Sequence, residues 1–184
     1  MNHSFIKKFA QESRKKLISR IGSRLDYIIK IDDPYLRAHT GEKKQILELI
    51  KRKGRESLIE DTAYTWFNRL TALRFMDVKG YNRLRIVSPA QGGTQPQILA
   101  EIKKGNIPAE ISILKDDIMN YLRGRISSSE PDREVYKIAL LAWCNYIGYS
   151  MPFLFKPVYD WAGLLLPQDL LSSESIIADI CEGI

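Results

Sequence analysis

The stretch "AYTWFNRLTALRFMDVKGY", from Ala63 to Tyr81, constrains the fold of this chain more than any other segment. When it is wound as a helix at about 100° per residue, Trp66, Phe67 and Leu70 fall on one side, while Phe75 and Met76 fall on others. A helix that is apolar nearly all round is buried against other elements. The stretch therefore predicts a buried helix with Trp66 in the core.

The same stretch carries charges that a buried helix has to accommodate. Arg74 and Asp77 are three residues apart, a spacing at which their side chains can pair on a helix surface. A buried charge without a partner costs several kcal/mol, roughly, so these charges need partners. One interpretation is a structural ion pair that ties the helix to its neighbours, which base rates favour. The other is an arginine presented to phosphate from a rigid platform.

The rest of the chain predicts a mainly α, bundle-like domain with at most one or two short strands. Amphipathic spacing predicts a helix over 4–30, and Thr40 is a candidate cap for a second helix over 41–53. Ser57 and Glu60 have capping-box spacing, which predicts a third helix over about 56–79 that ends at Gly80. The remaining expected elements are a strand at "LRIVS" (84–88), a turn at "PAQGGTQP", helices over 95–104 and 109–123, a central apolar helix from about Pro131, and short helices in "KPVYDWAGLLLP" and "DLLSSESIIADICEGI".

Length and composition limit the class of protein. With 184 residues and 45% apolar content, the chain is long enough for one domain, 1–184, with a true core. The apolar run from Ile138 to Phe155 is interrupted by Asn145, Gly148 and Pro152, so we interpret it as a buried helix rather than a membrane span. The N-terminal residues have no apolar signal core, and Cys144 and Cys181 lack metal-ligand spacing, which predicts a reducing cytoplasm.

The positive charge is concentrated in the front half of the chain. Residues 1–92 hold 20 Lys and Arg against 10 Asp and Glu, whereas residues 93–184 hold 8 against 12. The densest cluster is Lys51, Arg52, Lys53 and Arg55, at the end of the second predicted helix. It is either a solvated face that suits the helix dipole or a contact with DNA phosphate or an acidic partner. Lys103–Lys104 and Arg123–Arg125 are weaker clusters of the same kind.

The sequence offers no set of residues typical of a catalytic, cofactor or metal site. His3 and His39 are the only histidines, and neither has a credible ligand partner nearby in sequence. The Gly-Gly pair in "QGGTQP" lacks the strand and helix that flank a nucleotide-binding loop. Asp116 and Asp117 are adjacent, so their carboxylates diverge on a helix. We therefore assign no catalytic, cofactor-binding or metal residue and expect a non-catalytic basic domain.

The stretch from Ala63 to Tyr81 closely resembles a segment near the N-terminus of the PglX-like adenine-specific DNA methyltransferases of BREX phage-defence systems and of related restriction-type methylase subunits. A later passage, "LLLPQDLLSSESIIADI", is similar to the one that leads in those proteins towards the methyltransferase domain. The resemblance follows most of the chain in order, and its first motif is the long and specific one. It implies that Trp66, Phe67, Asn68, Arg69, Arg74 and Asp77 belong to a helical scaffold.

The resemblance also implies what lies elsewhere. The family binds S-adenosylmethionine through a glycine-containing loop and holds adenine with an Asn-Pro-Pro-Tyr type motif, and neither occurs in these 184 residues. We therefore expect an N-terminal domain of a longer chain, with about 168–184 leading into the next domain. This agrees with a last predicted helix that runs to the end of the sequence. Expected partners are the downstream methyltransferase domain, double-stranded DNA and other defence subunits, but no membrane. The alternative is a stand-alone basic helical module whose basic face meets an acidic protein.

Overall fold

The computed structural model describes residues 3–155 and 160–183, and of His3 and Asp160 it describes the backbone alone. The described residues form two compact units. The first contains residues 3–68, 160–169 and 183, and the second contains residues 69–155 and 170–182. The expectations for His3 and for residues 156–159 lie outside the described side chains.

Helices dominate the described residues, as the mainly α prediction requires, and that prediction is confirmed. Among those residues no strand forms, and an isolated bridge joins Pro89 and Pro96. The nine α-helices within the described ranges are α1 (His3–Lys30), α2 (Pro34–Ala38), α3 (Thr40–Lys53), α4 (Arg55–Lys79), α5 (Gln97–Lys103), α6 (Lys115–Leu122), α7 (Pro131–Gly148), α8 (Asp160–Leu164) and α9 (Ile176–Gly183). A 3-10 helix over Ala109–Leu114 replaces the first part of the helix predicted over 109–123.

Both predicted N-caps are wrong. Thr40 is the first residue of α3, and its hydroxyl donates backwards to the Arg37 carbonyl at 2.7 Å instead of capping the helix. Ser57 lies inside α4 because that helix already begins at Arg55. A single residue, Gly54, separates α3 from α4. Its φ of +87° suits glycine, and its N–H donates to the Ile50 carbonyl, which leaves no room for a capping box.

The first unit is built on α1, whose inward face repeats every three or four residues. Leu17, Ile21, Leu25 and Ile28 are fully buried there, as the amphipathic spacing predicts, whereas Phe5, which the same spacing includes, is 52% exposed and Phe9 is half-buried. Ile46 of α3 and Leu58 of α4 are also buried, and α3 packs against α8. Arg24 of α1 donates through Nε to the Leu164 carbonyl of α8 at 3.1 Å.

The second unit is built around α7, which confirms the central apolar helix. This helix packs against α5, α6 and the 3-10 helix, and it buries Tyr136, Leu140, Trp143 and Cys144 among other side chains. Gly148 ends it beside the returning chain, since a Cβ there would lie 2.4 Å from the Phe155 carbonyl oxygen. Across the described part of the chain, no helix combines the length and the apolar character that a membrane span needs.

Candidate functional site

Helix α4 buries one set of its side chains and exposes another. Trp66 is fully buried and Phe67 nearly so, which confirms the prediction that Trp66 belongs to the core. The expectation of burial all round is wrong, because Tyr64 is 56% exposed, Phe75 49% and Val78 55%. The aromatic excess of this helix therefore includes surface side chains. The sequence pattern does not distinguish them from core residues.

Asp77 is a buried carboxylate that organises the segment after α4. Its Oδ1 accepts the backbone N–H of Ile86 at 2.9 Å, and its Oδ2 accepts those of Val87 and Ser88 at 2.9 Å each. The Ser88 hydroxyl donates to Oδ2 at 2.9 Å, and the Asn82 amide donates to Oδ1 at 3.1 Å. Five donors therefore compensate one buried negative charge, which removes most of the cost of burying it.

This arrangement explains why the strand predicted at "LRIVS" is wrong. Three successive N–H groups, from Ile86 to Ser88, turn towards a single carboxylate. In a strand, successive N–H groups point alternately to opposite sides, so these residues cannot also form a ladder. The apolar β-branched side chains of Ile86 and Val87 are instead buried in the core, almost fully inaccessible to solvent.

Arg74 joins the same network from one turn earlier in α4. Its Nη1 donates to the Ser88 hydroxyl at 2.9 Å, and its Nη2 donates to the Cys181 carbonyl of α9 at 3.0 Å. The predicted direct pair with Asp77 is thus replaced by a connection through Ser88. This geometry supports the structural interpretation of the two charges, because the arginine ties α4 to α9.

Two further side chains donate hydrogen bonds to carbonyl groups of the segment from Ile86 to Ser88. The Tyr136 hydroxyl of α7 donates to the Ile86 carbonyl at 3.1 Å, and the Cys181 thiol donates to the Val87 carbonyl at 3.5 Å. Burial raises the pKa of both Tyr136 and Cys181, so each stays protonated and able to donate at neutral pH.

Arg69 is the other buried cation of α4. It is only 4% exposed, and burial lowers the pKa of its guanidinium. Burial also raises the pKa of the Cys144 thiol to about 12, so this cysteine is protonated and unreactive at neutral pH. Asn68, beside Arg69 in the motif, is half-buried.

The basic cluster at the junction of α3 and α4 is half neutralised. Lys53 pairs with Asp61 at 2.6 Å, and Arg55 pairs with Asp26 at 2.8 Å. The hydrogen bond from Arg55 lowers the pKa of Asp26. Lys51 and Arg52 are exposed and form no ion pair within the described ranges. Two of the four predicted contact residues therefore remain available to a partner.

The two weaker clusters, Lys103–Lys104 and Arg123–Arg125, differ in their surroundings. Lys103 pairs with Asp132 at 2.5 Å, and Lys104 pairs with Glu101 at 2.7 Å. Arg123 and Arg125 are exposed after α6. His39 contacts the Tyr35 carbonyl through Nδ1 at 2.8 Å, a local interaction at the end of α2.

Sequence reasoning missed a third basic surface, which we call the 79–97 loop because it runs from Lys79, the last residue of α4, to Gln97, the first residue of α5. Lys79, Arg83 and Arg85 are exposed on it, and the described residues place no carboxylate within ion-pair distance of them. A signal was present in the sequence, because no Asp or Glu occurs from Val78 to Ala100. Because residues 84–88 were predicted to form a strand, the segment was not recognised as a basic surface.

Arg83 also borders a concavity of about 410 Å³ in the second unit, together with Glu101, Asn106, Glu110 and Trp143 among others. The Glu101 carboxylate there accepts hydrogen bonds from Lys104 and from Asn106, and these bonds lower its pKa. The described residues bring no three His, Cys, Asp or Glu side chains together as a metal site.

Comparison with known proteins identifies the relationship that the motif suggests. The chain is 32% identical over 144 residues to the adenine-specific methyltransferase BrxX of Escherichia coli O9:H4 (strain HS), a match over 77% of this chain. It is 30% identical over 131 residues to the adenine-specific methyltransferase PglX of Lacticaseibacillus casei (strain Zhang), over 69% of this chain. The chain is homologous to the BREX adenine-specific methyltransferases. No protein-family model matches it.

The matched region is a small part of these methyltransferases. The chain spans 12% of the length of BrxX and 11% of that of PglX. The methyltransferase resemblance is thus confirmed for this region, and a role for Lys51, Arg52, Lys53 and Arg55 at DNA or at a partner stays a prediction. The division into domains over 1–184 also stays a prediction.

Proposed function

We propose that this chain is a non-catalytic N-terminal helical domain of an adenine-specific DNA methyltransferase in a phage-defence or restriction-modification system. Its role is to position the catalytic domain and to contact the DNA backbone or a partner subunit. The observation that carries the proposal is the match of most of this chain to about one eighth of BrxX. The catalytic domain would bind S-adenosylmethionine, and the protein would act in the cytoplasm.

The second unit supports a positioning role because hydrogen bonds lock its elements together. Asp77 and Arg74 of α4 tie α9 and the segment around Ser88 into one network, to which Tyr136 of α7 also donates. A domain that orients another must resist deformation, and charge-assisted hydrogen bonds in a buried setting provide that resistance. Of the motif residues, Arg69, Arg74 and Asp77 belong to this unit, and Arg69 and Asp77 are buried in it.

An aromatic surface at the end of α7 is suited to meet the downstream domain. Tyr149 is 89% exposed and Phe153 80% exposed, and Tyr146, three residues before Tyr149, is 47% exposed. Exposed aromatic groups of this kind are enriched in the buried centres of protein interfaces. Most of the length of the relatives lies outside the matched region, so they contain ample chain to cover this surface.

The test uses the full-length polypeptide that the gene encodes. An S-adenosylmethionine loop and an Asn-Pro-Pro-Tyr type motif after Ile184 support the proposal, and their absence favours the stand-alone interaction module. In the full-length protein, we expect Tyr149→Ser with Phe153→Ser to lower adenine methylation at least about tenfold, because losing hot-spot aromatics costs over 1 kcal/mol each. Ile113→Ser is the matched control, since Ile113 is 91% exposed on the same unit. Unchanged methylation after deletion of residues 1–184 would contradict a positioning role.

A further inference from the structure

We propose that the 79–97 loop is a surface that binds the phosphate backbone of duplex DNA. The inference rests on the proposed function, because it takes the chain to be part of a protein that acts on DNA. It assigns the contact to a different place from the Lys51–Arg55 cluster. Three properties of the loop carry it: uncompensated positive charge, rigid presentation of that charge, and a set of neutral donors beside it.

The charge of the loop is not balanced by carboxylates. Lys79, Arg83 and Arg85 are exposed, and among the described residues none of them forms an ion pair. The nearest carboxylate in sequence, Asp77, is buried and saturated by five donors. Glu101 shares a concavity with Arg83, but its carboxylate accepts from Lys104 and Asn106. The loop therefore presents three positive charges to a ligand, one more than the Lys51–Arg55 cluster.

Hydrogen bonds hold the backbone at Arg85 and one N–H group of its guanidinium, and Lys79 places its Nζ over the Phe75 ring, 5.9 Å from the centroid. Asp77 fixes the backbone from Ile86 to Ser88, directly after Arg85. The Arg85 backbone N–H donates to the side chain of Gln97 at 3.0 Å, and the Arg85 carbonyl accepts from the N–H of Ile98 at 3.0 Å. The Arg85 guanidinium donates through Nη1 to the Pro89 carbonyl at 3.1 Å, which leaves its other N–H groups for a ligand. A cation held in this way loses less entropy on binding than one on a free side chain.

Neutral donors extend the surface beyond the charges. Gln91 and Thr94 are exposed in the tip of the loop, which the bridge between Pro89 and Pro96 closes. A turn shapes the tip, with the Gly93 N–H donating to the Ala90 carbonyl at 2.9 Å. Amide and hydroxyl groups, together with arginine and lysine, are the side chains that make most contacts with phosphate and sugar.

The chemistry of the loop favours DNA over an acidic protein. Its β-branched residues Ile86 and Val87 are buried, and its exposed side chains are three cations, one amide, one hydroxyl and Tyr81. A protein interface has an apolar centre that excludes water; Ile86 and Val87 are too deeply buried to form one, and the exposed Phe75 and Val78 lie on α4, before the loop. Tyr81 is 69% exposed and packs edge-on against Phe75, with ring centroids 6.1 Å apart, so its phenol is a further donor at the surface.

The experiment measures binding of the chain to a labelled DNA duplex by fluorescence anisotropy over a series of salt concentrations. The test variant is Lys79→Gln with Arg83→Gln and Arg85→Gln. If all three cations contact phosphates, the slope of log affinity against log salt falls by up to about 2.7, because each lost contact lowers it by about 0.9. Arg83→Lys with Arg85→Lys retains the charge and should retain most of the slope. The control is Lys103→Gln with Lys104→Gln, two cations of the same unit that already have carboxylate partners.

Three outcomes overturn the inference: no binding of wild type to the duplex even at low salt, a test variant with an unchanged slope, or a control that lowers the slope as much. If the first outcome is found and wild type binds an acidic protein, the loop is assigned to a protein partner. Far-UV circular dichroism of each variant verifies that it is folded. Failure here differs from failure of the proposed function, because adenine methylation by the full-length protein is measured separately.

Discussion

We expect substitution of Asp77 to lower the stability of this protein strongly, because its carboxylate holds the segment that follows α4. Asp77→Ala leaves three backbone N–H groups and the Ser88 hydroxyl without their acceptor, at positions that are at most 1% exposed. A hydrogen bond to a charged group contributes about 1.5–3 kcal/mol, but such bonds in one network are not additive, and water enters once the network opens. We therefore expect the free energy of unfolding to fall by about 3–5 kcal/mol, the range for breaking a buried charged network.

Asp77→Asn refines this prediction because it preserves the shape of the side chain. An amide has one oxygen, so it can satisfy one side of the network while its NH₂ group faces the donors on the other side. We expect a loss of about 2–4 kcal/mol. The matched control is Asp61→Asn, which removes the same charge from an exposed pair with Lys53 and should cost at most about 1 kcal/mol.

The assay is urea unfolding at neutral pH, monitored by circular dichroism. A loss of stability appears as a lower midpoint at unchanged slope, whereas a changed slope indicates a loosened native state. If Asp77→Asn unfolds at the same midpoint as Asp61→Asn, the carboxylate does not organise the segment from Ile86 to Ser88, and the reasoning is refuted.

The remaining predictions concern the core, pH, charge and cofactor. Trp66→Ala should lower the free energy of unfolding by about 3–5 kcal/mol, since it empties a fully buried site, and an unchanged thermal midpoint would contradict its place in the core. Burial tends to raise the pKa of Glu134, but Lys137 and Arg133 outweigh it and the pKa is lowered. Its contribution to stability is therefore present above the ordinary glutamate pKa of 4.5 and lost as pH falls through the lower folded pKa, and Glu134→Gln should reduce this loss of stability at acid pH. In the anisotropy assay, Lys51→Gln with Arg52→Gln should lower the salt slope by up to about 1.8 if both touch phosphate, and neutralising their ion-paired neighbours should change it less. Calorimetry should detect no binding of S-adenosylmethionine to the 184-residue chain, and saturable micromolar binding would reveal a site that the sequence does not indicate.

The candidate site shows where sequence reasoning succeeds and where it stops. The cluster from Lys51 to Arg55 is visible in sequence, but the ion pairs of Lys53 and Arg55 are not, because Asp26 comes from another helix and lies 29 residues from Arg55. The 79–97 loop was missed because its β-branched residues have strand character, although the lack of carboxylates around it is visible in the sequence.

The sequence by itself determined the helices and the burial of their main faces. Periodic spacing of apolar residues fixes which side of α1 is buried, and a nearly continuous apolar run marks α7 as central, because both signals are local and repeat within a few turns. In α4 the same kind of signal predicts the burial of Trp66 but does not separate it from the exposed Tyr64 and Phe75.

Only the tertiary structure decided which hydrogen-bond partners the charged side chains of α4 have. Asp77 accepts from Ser88, 11 residues away, and Arg74 donates to Cys181, 107 residues away. Such partners are chosen by packing and not by local propensity, so their identity cannot be derived from spacing along one helix. For the same reason the residues of "LRIVS" bind a carboxylate instead of forming a strand, since their four hydrogen bonds to a buried charge outweigh a weak and context-dependent preference for strand structure.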